Sequence, residues 1–197
     1  MRSLKTTVAA AVLALGIAGT AQAALTPITT PPVASGPFTV VFAFADAADT
    51  SDLSFSQGGN PPTLLITNNG PTADPIGFTT TAGAAGTVNF ILTNTTQGYS
   101  FTAGIVDPVD GVQHAVTTTN FADFGVGALP ADAAAAIAAT GQTGIFIGFE
   151  DRRNGDYDYN DLIYWFSSVR IVDAPAPAAL GLFGLGLLGL GLMRRRA

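Results

Sequence analysis

Asp156, Asp158 and Asn160 alternate along Asp156-Tyr157-Asp158-Tyr159-Asn160-Asp161. In extended chain this spacing points three oxygen-bearing side chains one way. In a tight loop it wraps them around one centre, as at the start of an EF-hand. Glu150, Asp151 and Asp161 lie close enough in sequence to complete a shell. Calcium takes about six to eight hard oxygen ligands at about 2.3–2.6 Å, which carboxylates and amide oxygens supply. The expected metal ligands are therefore Glu150, Asp151, Asp156, Asp158, Asn160 and Asp161, with calcium as the cofactor. Left without a cation, five acids within twelve positions repel one another. The segment is not an EF-hand. Its sixth position is Asp161 rather than Gly, and its twelfth is Ser167 rather than Glu. Magnesium fits less well, because it keeps several of its waters. The alternative is a solvated acidic hairpin whose charge Arg152 and Arg153 partly offset.

Other chemistries find little support. The chain has no Cys and a single His, His114, so a thiol nucleophile and a typical zinc site are excluded. His114 is expected on a strand surface. No G-x-S-x-G elbow is present. Glu150 and Asp151 are the one pair available for general acid–base work. Asp46, Asp49 and Asp52 recur every third position and read as a solvated turn. Gly184-Leu185-Gly186-Leu187-Leu188-Gly189 matches a dinucleotide-binding pattern but lacks the strand, helix and downstream acid that such a site needs. From Ala24 to Pro177 there are three Arg and no Lys, against fourteen acids, a net charge of −11. A body so acidic repels nucleic acid.

The elements around the acidic stretch read as strands. Gly144–Phe149 leads into it. Asp161–Val172 leads out, apolar on both faces through Trp165 and Phe166, and so should be a central strand. Upstream, Phe38–Ala45 alternates clearly, and shorter strands are expected near 53–56, 63–67, 87–93, 100–106 and 112–118. Pro130–Thr140 is the one helix candidate, rich in Ala and stopped by Gly141. Residues 24–37 hold four prolines and read as an extended leader. The expected fold is mainly β: a two-sheet β-sandwich or jelly-roll-like domain over 38–172 with one short helix.

The two ends read as addresses. Residues 1–23 have the form of a signal peptide. Arg2 and Lys5 come first, an apolar run from Val8 to Ala18 follows, and Ala21-Gln22-Ala23 forms the cleavage site. Signal peptidase would release a chain starting at Ala24. At the other end, Ala174-Pro175-Ala176-Pro177 precedes sixteen uncharged residues, 178–193, and then Arg194, Arg195 and Arg196. As a helix those sixteen span roughly 24 Å. The terminal Arg cluster fixes that end on the cytoplasmic side of the inner membrane, leaving the body outside.

Two family resemblances add to this reading. Residues 173–197 resemble the PEP-CTERM sorting signal: a short Pro-containing motif, a Gly/Leu-rich membrane segment and a terminal Arg cluster. The family usually reads Pro-Glu-Pro, and Ala176 stands where that Glu would be. The resemblance implies an exosortase-type processing enzyme as partner. It also implies a Gram-negative host, a cell-surface or matrix location and exopolysaccharide nearby. Gly148-Phe149-Glu150-Asp151 followed by Asp156-Tyr157-Asp158-Tyr159-Asn160-Asp161-Leu162-Ile163 resembles the DUF4114 domain family. That likeness is dense over 144–172 and extends back to about Tyr99. It implies a β-rich, calcium-linked surface domain without established enzymatic activity.

The chain is thus expected to be an exported, non-enzymatic surface or matrix protein. Two alternatives remain open from the residues. One is a carbohydrate-binding module using the rings of Tyr157, Tyr159, Tyr164 and Trp165. The other is a hydrolase using Glu150 and Asp151.

Overall fold

The computed structural model describes residues 25–172. The signal-peptide expectation, with Ala21, Ala23 and Ala24, lies outside those residues. So does the sorting tail, with Pro175, Ala176, Pro177 and Arg194 to Arg196. Among the described residues, no helix is long and apolar enough to cross a membrane.

The chain is mainly β. Its first strands are β1 (Thr26–Pro27), β2 (Val33–Ala34), β3 (Phe38–Ala45), β4 (Ser51–Ser56), β5 (Thr63–Thr67), β6 (Thr79–Ala82) and β7 (Gly86–Thr87). Then come β8 (Asn89–Asn94), β9 (Tyr99–Thr102) and β10 (Ala115–Thr118). A 3-10 turn (Phe121–Phe124) and helix α1 (Ala131–Thr140) separate these from β11 (Gly144–Phe149), β12 (Leu162–Ser167) and β13 (Val169–Arg170). A six-stranded antiparallel sheet runs β1-β10-β11-β12-β3-β6. A four-stranded sheet runs β5-β4-β8-β9, and a small one runs β13-β2-β7.

Alternation along the central strands builds the layers. Leu162, Tyr164 and Phe166 of β12 face the four-stranded sheet together with Phe38, Val40 and Phe42 of β3. Leu53, Ile66, Phe90 and Leu92 meet them from that sheet. Phe90 and Phe166 have ring centroids 4.3 Å apart, and Phe38 packs edge-on against Phe90 at 5.3 Å. The odd-numbered side chains Val41, Ala43, Ile163 and Trp165 face the other way, under Phe121, Phe124 and Ala133. The six-stranded sheet is therefore a middle layer, with a sheet on one side and short helical segments on the other. All six residues of β12 are buried, in agreement with the central strand expected there.

Three expectations are corrected. First, residues 24–37 are not merely a leader. β1 pairs with β10, β2 sits between β13 and β7, and Ile28 is fully buried. Pro27 is tolerated because β1 is an edge strand. Second, the sheets number three rather than two among the described residues. The long strand expected over Asp161–Val172 breaks at Ser168, whose φ of 55° is left-handed and sends β13 into the small sheet. Third, the strand expected near 100–106 stops at Thr102. A Cβ at Gly104 would lie 2.5 Å from the Thr30 carbonyl carbon, and the glycine turns the chain with φ 89°. The helix, by contrast, forms over nearly the residues expected.

Candidate functional site

The acidic stretch is the loop of the β11–β12 hairpin, with Phe149 opposite Leu162 at its base. Its geometry is the tight-loop alternative, not the extended one. Asn154, Tyr157 and Tyr159 all have left-handed φ, at 54°, 58° and 60°. Backbone strain of this kind persists only where surroundings over-determine it. Here the Asn154 N–H donates to the Tyr157 hydroxyl at 3.0 Å, and the Tyr159 hydroxyl donates to the Gln113 carbonyl at 3.0 Å. Gly148 leaves room for the loop to fold back, since a Cβ there would meet the Phe124 ring and the Tyr159 carbonyl oxygen.

This folding sorts the acids into two trios that share Glu150. One is Glu150, Asp151 and Asp161, and the other is Glu150, Asp156 and Asp158. Within each trio, one carboxylate oxygen per residue lies within 4.8 Å of the others. Two ligands of one calcium ion, each about 2.4 Å from it, lie at most about 4.8 Å apart, so each pair of oxygens in either trio stays within the span one ion can bridge. Asn160 instead directs its backbone N–H and its side-chain amide at Asp158.

Glu150 and Asp151 are both 2% exposed, while Asp156 and Asp158 are open to solvent. The Glu150 Oε2 accepts from the Tyr157 N–H at 3.0 Å, and the Asp151 N–H donates to the Asp161 Oδ2 at 2.9 Å. Ser51 Oγ donates to the Asp151 carboxylate at 3.3 Å, and Asn94 Nδ2 donates to its backbone oxygen at 3.0 Å. Gly155 admits the Glu150 carboxylate, since a Cβ there would fall 2.1 Å from Oε1.

Burial, then the neighbouring Asp161, push the Glu150 carboxyl up to about 8. Burial, then Asp161 and Asp49, push Asp151 up to about 6. Among the described residues no cationic side chain pairs with Glu150, and Arg152 approaches Asp151 only to 3.9 Å. The two arginines of the loop are committed elsewhere. Arg152 pairs with Asp49 at 2.9 Å, and Arg153 pairs with Asp107 at 2.6 Å while lying over the Tyr99 ring. Hydrogen bonds from Asn94 and then Arg152 hold Asp49 below the usual carboxylate range, and Arg153 does the same for Asp107.

Several neighbours of the site escaped the sequence reading. Asp46, Ala47 and Ala48 of the β3–β4 loop line a cleft of about 280 Å³ together with Glu150, Asp151, Asp156 and Asp161. The Asp46 N–H donates to the Asp161 carbonyl at 2.9 Å. Asp49 is buried, which corrects the solvated turn expected there. The signal was the Asp46, Asp49, Asp52 spacing itself, but only pairing across sheets reveals its role. His114 is also corrected. It is 1% exposed, stacked on Phe101 at 3.8 Å, bonded to Asp110 at 2.8 Å and in contact with the Glu150 carbonyl at 3.2 Å. With Asp107 and Asp110 it forms a further group of possible ligands. Tyr164 and Trp165 lie in the core, so their rings offer no face to a sugar, and Tyr157 and Tyr159 are half-buried.

The chemistry this arrangement can do is to hold a hard metal ion. No curated protein and no solved structure matches the chain. Residues 173–196 match the PEP-CTERM protein-sorting motif, which implies an exported protein handled by an exosortase-type enzyme and sorted to the cell envelope.

Proposed function

We propose that the chain is a non-enzymatic surface or matrix protein whose β11–β12 loop binds calcium to close the domain. One observation carries this reading. Glu150 and Asp151 are buried side by side, Asp161 lies close against them, and among the described residues no cationic side chain pairs with Glu150. Burying like charges without a counter-charge is costly, and a divalent ion removes that cost. The likeness to the DUF4114 family supports the same reading. So does the sorting motif, since an exported domain sorted to the cell envelope would meet calcium from outside the cell.

Calorimetry tests it. Calcium at about 100 times its dissociation constant should stabilise the fold by about 2.7 kcal/mol, and chelator should reverse the gain. Glu150→Gln, which is shared by both trios, should abolish the gain. An unchanged melting temperature, with no heat of binding on titration, rejects the metal.

A hydrolase reading has one point in its favour. A carboxyl pushed up to about 8, as Glu150 is, stays protonated at neutral pH as a general acid must. Turnover of a polysaccharide that Glu150→Gln removes, in calcium-free buffer, would favour it over the binding role.

A further inference from the structure

The loop between β9 and β10 displays aliphatic side chains to solvent. Ile105, Val106 and Val109 are 53%, 55% and 68% exposed. The loop is held from within. The Asp107 N–H donates to the Val112 carbonyl at 2.9 Å, the Gly111 N–H donates to the Asp107 carbonyl at 2.9 Å, and the Val109 N–H donates to the Asp107 carboxylate at 2.9 Å. Its two acids turn inward. Asp107 meets Arg153 and Asp110 meets His114, with side chains 3% and 4% exposed. The acidic residues of this loop thus leave its outer surface apolar.

The patch adjoins the point where the chain leaves the domain. Thr30 Oγ1 donates to the Val172 carbonyl at 2.8 Å, and Gly104 packs directly on the Thr30 backbone. Ile105 follows Gly104, and Val172 is itself 47% exposed. The uncharged run 178–193 begins six residues beyond Val172. Six residues reach at most roughly 20 Å even when fully extended. While that run is held in a membrane, the patch therefore stays within a short tether of the lipid.

We infer that Ile105, Val106, Val109 and Val172 form a docking face that seats the domain on the lipid surface holding its own tail. A few aliphatic side chains bind a bilayer weakly from free solution. Tethering makes the step intramolecular, so a weak contact suffices.

The absence of Cys from the chain makes a site-specific test direct. Full-length chain bearing Ile105→Cys or Val109→Cys, labelled with a polarity-sensitive dye, is reconstituted into vesicles of phosphatidylethanolamine and phosphatidylglycerol. Leu64→Cys is the control, since Leu64 is 57% exposed but lies on β5, at the opposite edge of the four-stranded sheet from β9. Emission at 105 and 109 should shift to the blue and be quenched by spin-labelled lipid, with position 64 unchanged. Equal response at all three positions overturns the inference. So does a blue shift without lipid quenching, which would mean that protein, such as the tail itself, covers the patch. Chelator should not change the outcome, so the result is independent of the calcium reading.

Discussion

Tyr164 lies fully buried between the sheets, stacked with Phe42 at 5.4 Å, and its hydroxyl has no hydrogen-bond partner among the described residues. Burial raises its ionisation far above the ordinary tyrosine range, so it stays neutral. A buried hydroxyl without a partner costs free energy that the ring does not need. Tyr164→Phe should therefore raise stability by about 1 kcal/mol, read as a higher urea midpoint at unchanged slope. Gly155 shows the opposite case. Its open side is filled by the Glu150 carboxylate, so Gly155→Ala must push that group away. Overpacking of this kind costs about 1–3 kcal/mol. It should also weaken any calcium affinity, because Glu150 belongs to both trios. Titration of the variant against wild type checks this, and an undiminished affinity would mean that the ion is held without Glu150. Nothing in the sequence marked the burial of either position. Tyr164 reads as one more apolar-strand aromatic, and Gly155 as one more loop glycine. Their environments arise from chain segments far away.

At the scale of elements, the hairpin was the most legible part. The apolar runs on both sides of the acids located the loop-side ends of β11 and β12, and β12 proved as central as its two apolar faces implied. The partner of the loop was not legible. The β3–β4 loop reaches it only because β12 pairs with β3, and no local pattern encodes that pairing. β6 also escaped notice, since its Thr-rich, partly exposed edge has no apolar alternation to read. The loop as a unit makes a pH prediction. Glu150 and Asp151 titrate higher in the folded chain than their ordinary values of 4.5 and 3.8, so between those values and about 8 the folded state holds protons that the unfolded state has released. Stability of the calcium-free protein should fall as pH rises through that window. Asp49 and Asp107 work the other way. Their lowered values favour the fold above the ordinary carboxylate range, and this contribution is lost only as pH drops below it. The melting temperature in chelator should therefore be highest near about pH 4–5 and decline toward pH 8. Saturating calcium should flatten the decline by replacing the missing protons with an ion.

At the scale of the whole molecule, the proline-rich segment ahead of β3 joins two sheets. β1 extends the six-stranded sheet beside β10, the strand that leads into β11 through register pairs such as Ala115 with Phe149. β2 is the middle strand of the small sheet and touches both β13 and β7. Between them Ile28 is fully buried in the main core, and its N–H donates to the Ala115 carbonyl at 3.0 Å. Four prolines hid this from sequence reading, because proline argues against both helix and central strand. It does not argue against short edge pairings or a buried isoleucine between them. A chain begun at Phe38 would lose β1, β2 and Ile28 together. It would also leave Val88 N–H without its Pro32 acceptor and Ser168 carbonyl without its Ser35 donor. Ile28→Ala alone should cost about 2–5 kcal/mol, the usual range for emptying a buried aliphatic site. The shortened chain should be worse than that variant, losing a single cooperative transition in denaturant rather than merely shifting its midpoint. If it unfolds as sharply and at the same urea concentration as the intact domain, residues 24–37 are a leader after all. The small sheet would then be a consequence of packing rather than a part of what holds β13, and the exit toward the sorting motif, in place.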